Sequence, residues 1–209
     1  MSIEDAGLAY VARLSGVRDE RVVAALGEVP RHLFVPDDQV RRAALDSPLP
    51  LPCGQTTSQP SLIAQMVEAL RLTESSTVLE VGTGYGYEAA ILSRLAAEVW
   101  TVECVAELAA AAARNLAAFG AANVHVVVGD GRAGLPEHAP YDGIVVAAQA
   151  VRVPTALVAQ LAVGGRLVAP IGHADVQRCV VLRRTADGSV EEVGDLGLVN
   201  FVPLVGSDG

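Results

Sequence analysis

Three acidic residues stand at or near the ends of three successive apolar runs. Glu80 lies in Val78-Leu79-Glu80-Val81 and is followed by the turn Gly82-Thr83-Gly84-Tyr85-Gly86. Glu103 closes the run Glu98-Val99-Trp100-Thr101-Val102, and Asp130 sits in Gly129-Asp130-Gly131 after Val124-His125-Val126-Val127-Val128. Alternate glycines let a chain turn sharply and approach a ligand, because no Cβ intervenes. A dinucleotide fingerprint needs its third glycine where this chain has Tyr87, so the spacing suits a ligand without a pyrophosphate. A carboxylate at Glu80 repels phosphate but attracts a cation, such as the methionine end of S-adenosylmethionine. Glu103 falls seventeen positions after Gly86, close to the offset of about 20 at which an acidic side chain meets ribose hydroxyls. Asp130 is suited to accept a hydrogen bond from an adenine amino group. The expected cofactor set is Glu80, Gly82, Thr83, Gly84, Gly86, Glu103, Cys104, Asp130 and Gly131. Taken singly, each has a plainer explanation: a structural turn, a solvated strand end, an ordinary Asp-Gly turn pair.

These residues need a scaffold that brings strand ends together, and the rest of the chain describes one. From Thr77 onward, strands are predicted at 77–81, 98–103, 124–128, 142–147 and 166–171, alternating with helices at 86–96, 105–118 and 154–161. That alternation specifies a parallel sheet with helices on both faces. Two further strands, 177–184 and 198–204, flank the turn Asp187-Gly188 and predict an antiparallel edge. Before the core, residues 3–26 carry helical periodicity broken at Gly16, and residues 29–36 read as an extended connector because of Pro30 and Pro36. Residues 46–59 form an irregular stretch long enough to be functional. Asp46 either anchors that loop or serves as a cap or turn residue. A helix opens at Pro60, with Ser58 or Gln59 as its cap. The predicted fold is α/β: a doubly wound, mostly parallel seven-stranded sheet with an N-terminal helical addition and an antiparallel C-terminal edge. One domain is expected over 1–209, with helices and loop in 1–60 and a Rossmann-like core in 61–209.

Composition narrows the functional classes. Half the chain (51%) is hydrophobic, yet no apolar run approaches the ~18 residues needed to span a bilayer, so no membrane role is expected. The formal charge of −9, with basic residues clustered only as pairs such as Arg41-Arg42 and Arg183-Arg184, argues against nucleic acid as a partner. Three well-separated cysteines, Cys53, Cys104 and Cys179, suggest neither a disulfide framework nor a zinc cluster. Cys53 is expected to be an inert, at least half-buried thiol, and Trp100 a core residue. The acidic start Met1-Ser2-Ile3-Glu4-Asp5 lacks secretory features, and a cytoplasmic monomer is expected.

Several segments together resemble the protein-L-isoaspartate (D-aspartate) O-methyltransferase family over nearly the whole chain. They are Val29-Pro30-Arg31-His32-Leu33-Phe34-Val35-Pro36, Gly54-Gln55-Thr56-Thr57-Ser58-Gln59-Pro60, Leu79-Glu80-Val81-Gly82-Thr83-Gly84, Gly129-Asp130-Gly131, Pro140-Tyr141-Asp142, Gly164-Gly165-Arg166-Leu167-Val168 and Phe201-Val202-Pro203-Leu204. The glycine turn is common to methyltransferases generally; the hydroxyl loop and the 29–36 segment are more specific. The resemblance implies transfer of a methyl group from S-adenosylmethionine to the α-carboxyl of isoaspartyl residues in damaged proteins and peptides, leaving S-adenosylhomocysteine. The methyl ester then closes to a succinimide that can reopen to aspartate. Ser58 matches the family's catalytic serine, with Thr56 and Thr57 beside it. A carboxylate nucleophile is already ionised near neutrality, its reference pKa being about 3.3–4, so hydroxyls that orient it suffice without a base. As a residue before Pro60, Ser58 is equally suited to cap the helix. Cys53, Gln149 and Val205 leave the choice of substrate open. Three alternatives remain: a same-fold methyltransferase acting on a small molecule or modified peptide, an inactive cofactor-binding module, and a nicotinamide oxidoreductase.

Overall fold

The computed structural model describes residues 3–173 and 175–206, with side chains from Gly7 onward. Two helices, α1 (Ile3–Leu14) and α2 (Glu20–Glu28), precede a loop region carrying the two-residue strands β1 (Leu49–Pro50) and β2 (Thr56–Thr57). The core follows in the order α3 (Pro60–Leu70), β3 (Thr77–Val81), α4 (Tyr87–Leu92), β4 (Glu98–Glu103), α5 (Ala106–Phe119), β5 (Val124–Val128), β6 (Tyr141–Val146), α6 (Thr155–Gln160), β7 (Leu161–His173), β8 (Val176–Arg184) and β9 (Val190–Val199).

Seven strands form one sheet in the order β5-β4-β3-β6-β7-β8-β9. The first five run parallel, and β8 and β9 are antiparallel. The central strands are buried on both faces, which explains their continuous Val, Ile and Leu content. One face packs against α1 to α5 through residues such as Leu26, Met66, Ile91 and Leu116. The other holds a smaller cluster of Leu79, Tyr141, Leu157 and Leu167. Strand order reverses between β3 and β6, and ligands of doubly wound sheets bind outside the carboxyl ends of strands at such a reversal. The glycine turn after β3 and Ala147 after β6 face each other there: a Cβ built on Gly82 would lie 3.4 Å from that of Ala147.

Three local expectations are corrected. The second edge strand lies at Val190–Val199, not 198–204, because the chain turns at Asp187-Gly188 and pairs at once with β8. Its exposed Glu191, Glu192 and Asp195 pair with Arg183 and Arg178, so the strand lacks the apolar alternation that marks its neighbours. Residues beyond it form a tail instead, joined to Gln149 by an isolated bridge at Pro203. The connector at 29–36 contains a short 3-10 turn, Arg31–Phe34, because the five residues between its two prolines are enough for one turn before Val35 returns to extended backbone. Trp100 is only half-buried; its ring stacks on His125 and His138 at the edge of the smaller cluster.

Candidate active site

Two adjoining cavities occupy the switch point. A cleft of about 520 Å³ is lined by Gly82, Gly84, Glu103, Cys104 and Gly131, with the 202–205 tail and Thr56 closing its side. A second cavity of about 340 Å³ is lined by Thr56, Thr57, Ser58, Glu80, Thr83 and Glu88. Thr56, Gly82, Gly84 and Ala147 line both. The hydroxyl segment therefore adjoins the glycine turn, and a Cβ on Gly84 would approach Leu51 of the loop to 3.2 Å. Gly82 and Gly84 have φ values of +99° and +55°, the left-handed region that glycine enters without steric cost.

Glu103 organises the turn. Its Oε2 accepts from the Gly84 N–H at 2.9 Å and its Oε1 from the Val105 N–H at 3.0 Å. Each carboxylate oxygen has a second lone pair, so the group retains capacity for ligand hydroxyls. Cys104 lines the same cleft with its Sγ 3.6 Å from Glu103 Oε1; burial and that carboxylate push its thiol pKa up, which keeps it protonated and unreactive.

Glu80 is fully buried in the neighbouring cavity. Its Oε2 accepts from Thr101 Oγ1 at 2.5 Å. With that hydroxyl proton committed, Thr83 must donate in its own 2.5 Å bond to Thr101. Burial first, and Glu88 second, raise the Glu80 pKa well above the carboxylate range. Oε1 of Glu80 and Oε1 of Glu88 are both buried with no hydrogen-bond partner among the described residues.

Two expected cofactor residues point elsewhere. The Asp130 carboxylate is taken by Arg132, whose backbone N–H, Nε and Nη2 all donate to it, and this pairing lowers its pKa. Asp130 is not among the residues lining the cleft, whereas Gly131 is; a Cβ on Gly131 would lie 2.3 Å from Val81 Cγ1, so that glycine is required by close strand packing. Gly86 starts α4 in the left-handed region and faces Leu116 and Ala112 of α5, serving helix packing rather than a ligand.

The loop carrying Thr56, Thr57 and Ser58 is held from beneath by two charged groups. Arg31 is 1% exposed, and its guanidinium donates to the carbonyls of Leu45 at 2.8 Å, Ser47 at 2.9 Å and Ser58 at 3.0 Å. Burial lowers its pKa to about 10, still protonated at neutrality. Asp46 accepts from the Ser61 backbone N–H at 2.9 Å and from the Gln59 side chain at 2.8 Å. Asp46 thus supplies the side-chain cap of α3 in place of Ser58 or Gln59, the two caps expected from the sequence. The side-chain hydroxyls of Thr56, Thr57 and Ser58 make no hydrogen bond to the described residues and remain free for a ligand. Cys53, at the outer end of the loop, is exposed rather than buried because its backbone takes a left-handed conformation, φ 58°, that turns it outward. Its thiol pKa is raised by desolvation and by Glu107, whose Oε2 lies 3.8 Å away.

Thr101 and Glu88 escape a search for motifs, and Arg31, although it stands in the 29–36 segment, gives no sign there of the carbonyls it holds. Thr101 alone leaves a trace, a hydroxyl inside the apolar run Val99–Val102, where a buried polar group needs a partner.

Comparison with known proteins agrees with this geometry. The family model described as protein-L-isoaspartate(D-aspartate) O-methyltransferase matches residues 7–209. The chain is 53% identical over 191 residues to the protein-L-isoaspartate O-methyltransferase of Anaeromyxobacter dehalogenans strain 2CP-C, covering 90% of this chain and 91% of that protein. Identity to the protein of the same name from Synechococcus sp. strain JA-2-3B'a(2-13) is 51% over 197 residues, covering 91% and 80% of the two chains. A solved protein-L-isoaspartate O-methyltransferase superposes with a TM-score of 0.86 at 30% identity, over 96% of this chain and 65% of its own longer chain. A Plasmodium falciparum structure bound to S-adenosyl-L-homocysteine shares the fold, with a TM-score of 0.84 at 22% identity over 96% and 98% of the two chains. From the glycine turn to the hydroxyl loop and the tail, the chain belongs to the protein-L-isoaspartate(D-aspartate) O-methyltransferase family.

Proposed function

We propose that the chain methylates the α-carboxyl of L-isoaspartyl residues in damaged proteins, using S-adenosylmethionine and starting their repair through a succinimide. One observation carries the assignment of roles: Thr56, Thr57 and Ser58 present unclaimed hydroxyls to a cavity that meets the glycine-turn cleft at Thr56, Gly82 and Gly84. The residues present fit the cofactor. Glu80 carries a buried, unpartnered oxygen suited to a cationic group, and Glu103 can accept from hydroxyls. Gly82, Thr83, Gly84, Cys104 and Gly131 would complete the walls, while Asp130 would contribute only through its unused lone pairs or by leaving Arg132. When bound, S-adenosylmethionine supplies an electrophilic methyl group on a cationic sulfur.

The protein's task is placement. The acceptor carboxylate is ionised at neutrality and needs no base. Ser58, supported by Thr56 and Thr57, would donate hydrogen bonds that hold one carboxylate face without neutralising it. Correct orientation alone can supply up to roughly 7–11 kcal/mol of a barrier. The loop beneath these hydroxyls is fixed by Arg31 and Asp46, so the acceptor meets a prepared surface. Peptide access is available from the outer side, where a groove lined by Thr56, Ser58, Leu62, Leu198 and Phe201 leads to the loop.

The three thiols are free, which supports a reducing, cytoplasmic setting, and no described helix is long and apolar enough to cross a membrane. The acidic balance of −9 favours protein over nucleic-acid partners. We take the chain to act as a monomer and as one domain. The decisive experiment incubates it with methyl-labelled S-adenosylmethionine and a matched pair of isoaspartyl and aspartyl peptides. Base-labile label on the isoaspartyl peptide alone is expected; equal or absent labelling of the two would reject the substrate.

A further inference from the structure

Glu88 is the second residue of α4, a helix whose six residues are all buried. Its carboxyl enters the same 340 Å³ cavity as Glu80, and each of the two groups leaves its Oε1 without a partner. No lysine, arginine or histidine lines that cavity among the described residues. The Arg31 guanidinium lies 5.6 Å over the ring of Tyr87, which also lines the cavity, and is already committed to loop carbonyls. Two buried carboxyls without a counter-charge cannot both ionise at acceptable cost. The arrangement therefore calls for either a retained proton or an incoming cation.

Resting on the assignment of the glycine turn to S-adenosylmethionine, we propose that Glu88 is a second anionic wall of the cofactor site, sharing with Glu80 a proton that leaves when a cationic ligand end enters. The cofactor carries two positive groups, its ammonium and its sulfonium; the demethylated product keeps only the ammonium. The pair then distinguishes the two by charge. Binding of the cofactor expels a proton to solvent, and loss of the product restores it, so that the full cycle is proton-neutral.

The surroundings favour this exchange. Glu88 is pushed up to about 8 by burial, within reach of neutral pH. The groups that face the pair are Glu103 from β4, which adds to the negative field at Glu80, the Thr101 hydroxyl, which partly opposes it, and Cys179 from β8. Burial holds the Cys179 thiol at about 12, so it stays neutral. No histidine lines either cavity among the described residues, so Glu88, held at about 8, is the group there that titrates close to neutral pH, with Glu80 raised in the same direction.

Calorimetric titration of the intact protein with S-adenosylmethionine, in phosphate and in Tris at pH 7, counts the protons released from the difference in heats. Release of about half to one proton is expected, less with S-adenosylhomocysteine, and affinity for the cofactor should rise as pH goes from 6 to 8. Glu88→Gln should abolish most of the release, flatten the pH dependence and weaken cofactor binding at pH 8 at least about fivefold, a typical coupling between linked sites. Equal heats in the two buffers, or affinity constant from pH 6 to 8, overturns the proposal on the parent protein alone, whether or not the variant folds. Retained release in a folded Glu88→Gln also overturns it. Absence of any binding heat would instead reject the cofactor assignment itself.

Discussion

Arg31 Nη2 donates to the carbonyl oxygen of Ser58 at 3.0 Å, tying the backbone of the expected catalytic loop to a guanidinium buried 27 positions earlier. The bond holds the peptide of Ser58 and leaves its hydroxyl untouched. Arg31→Met would strand the carbonyls of Leu45, Ser47 and Ser58, each having accepted from a charged donor. Bonds of that kind are worth about 1.5–3 kcal/mol each, and partial rescue by water leaves an expected loss of about 3 kcal/mol in stability. Denaturant unfolding measures it; a loss below about 1 kcal/mol would show that the loop holds itself.

Ser58→Ala separates the two roles that its position before Pro60 allowed. Because Asp46, not Ser58, accepts the Ser61 N–H, the variant should keep its stability within about 0.5 kcal/mol. Its turnover on an isoaspartyl peptide should fall by well over tenfold, a fold that corresponds to about 1.4 kcal/mol per decade, with cofactor affinity unchanged. Asp46→Ala should show the converse pattern, losing about 1 kcal/mol of stability as a cap is removed. If Ser58→Ala proves as active as the parent, the serine has no part in orienting the substrate.

How far such roles can be read in advance depends on whether a residue's neighbours are close in sequence. The strand ends at Glu80 and Glu103 and the glycines between them are visible as a pattern, since period and spacing are local properties. So is the parallel core, because alternating strands and helices specify parallel pairing with helices on both faces. Glu88 carries no such sign: an acid in the first turn of a helix is ordinary, favoured by the helix dipole, and only the burial of all of α4 makes it exceptional. Arg31 looks like a solvated arginine until the chain folds three carbonyls around it. Strand β9 lacks apolar alternation for the same reason, its acidic face being satisfied by Arg178 and Arg183 across the hairpin. Long-range partners decided each of these.

Glu103→Gln tests whether the carboxylate shapes the glycine turn. Gln retains one acceptor oxygen but turns an amide N–H₂ toward a backbone donor at Gly84 or Val105. Loss of one charge-assisted bond, about 1.5–3 kcal/mol, should weaken cofactor binding by roughly ten- to hundredfold. Equilibrium dialysis against labelled cofactor gives the ratio directly. Unchanged affinity would remove Glu103 from the site and leave it a structural strand end.

The ligand-free protein should become less stable as pH rises from about 5 to 8, opposite to the trend of a salt-bridged carboxylate. The folded state holds the Glu88 proton up to about pH 8, whereas an unfolded glutamate loses it near 4.5. Between those values the native chain binds more protons than the unfolded one, so stability falls with pH, at a limiting slope of about 1.4 kcal/mol per unit for one group. The raised Glu80 acts in the same direction. Glu88→Gln, neutral at every pH, should flatten the dependence and exceed the parent's stability at pH 8 while matching it near pH 5. Melting temperatures of both proteins across that range, without cofactor, provide the test; parallel curves would mean that Glu88 reaches water and ionises freely despite its place in the fold.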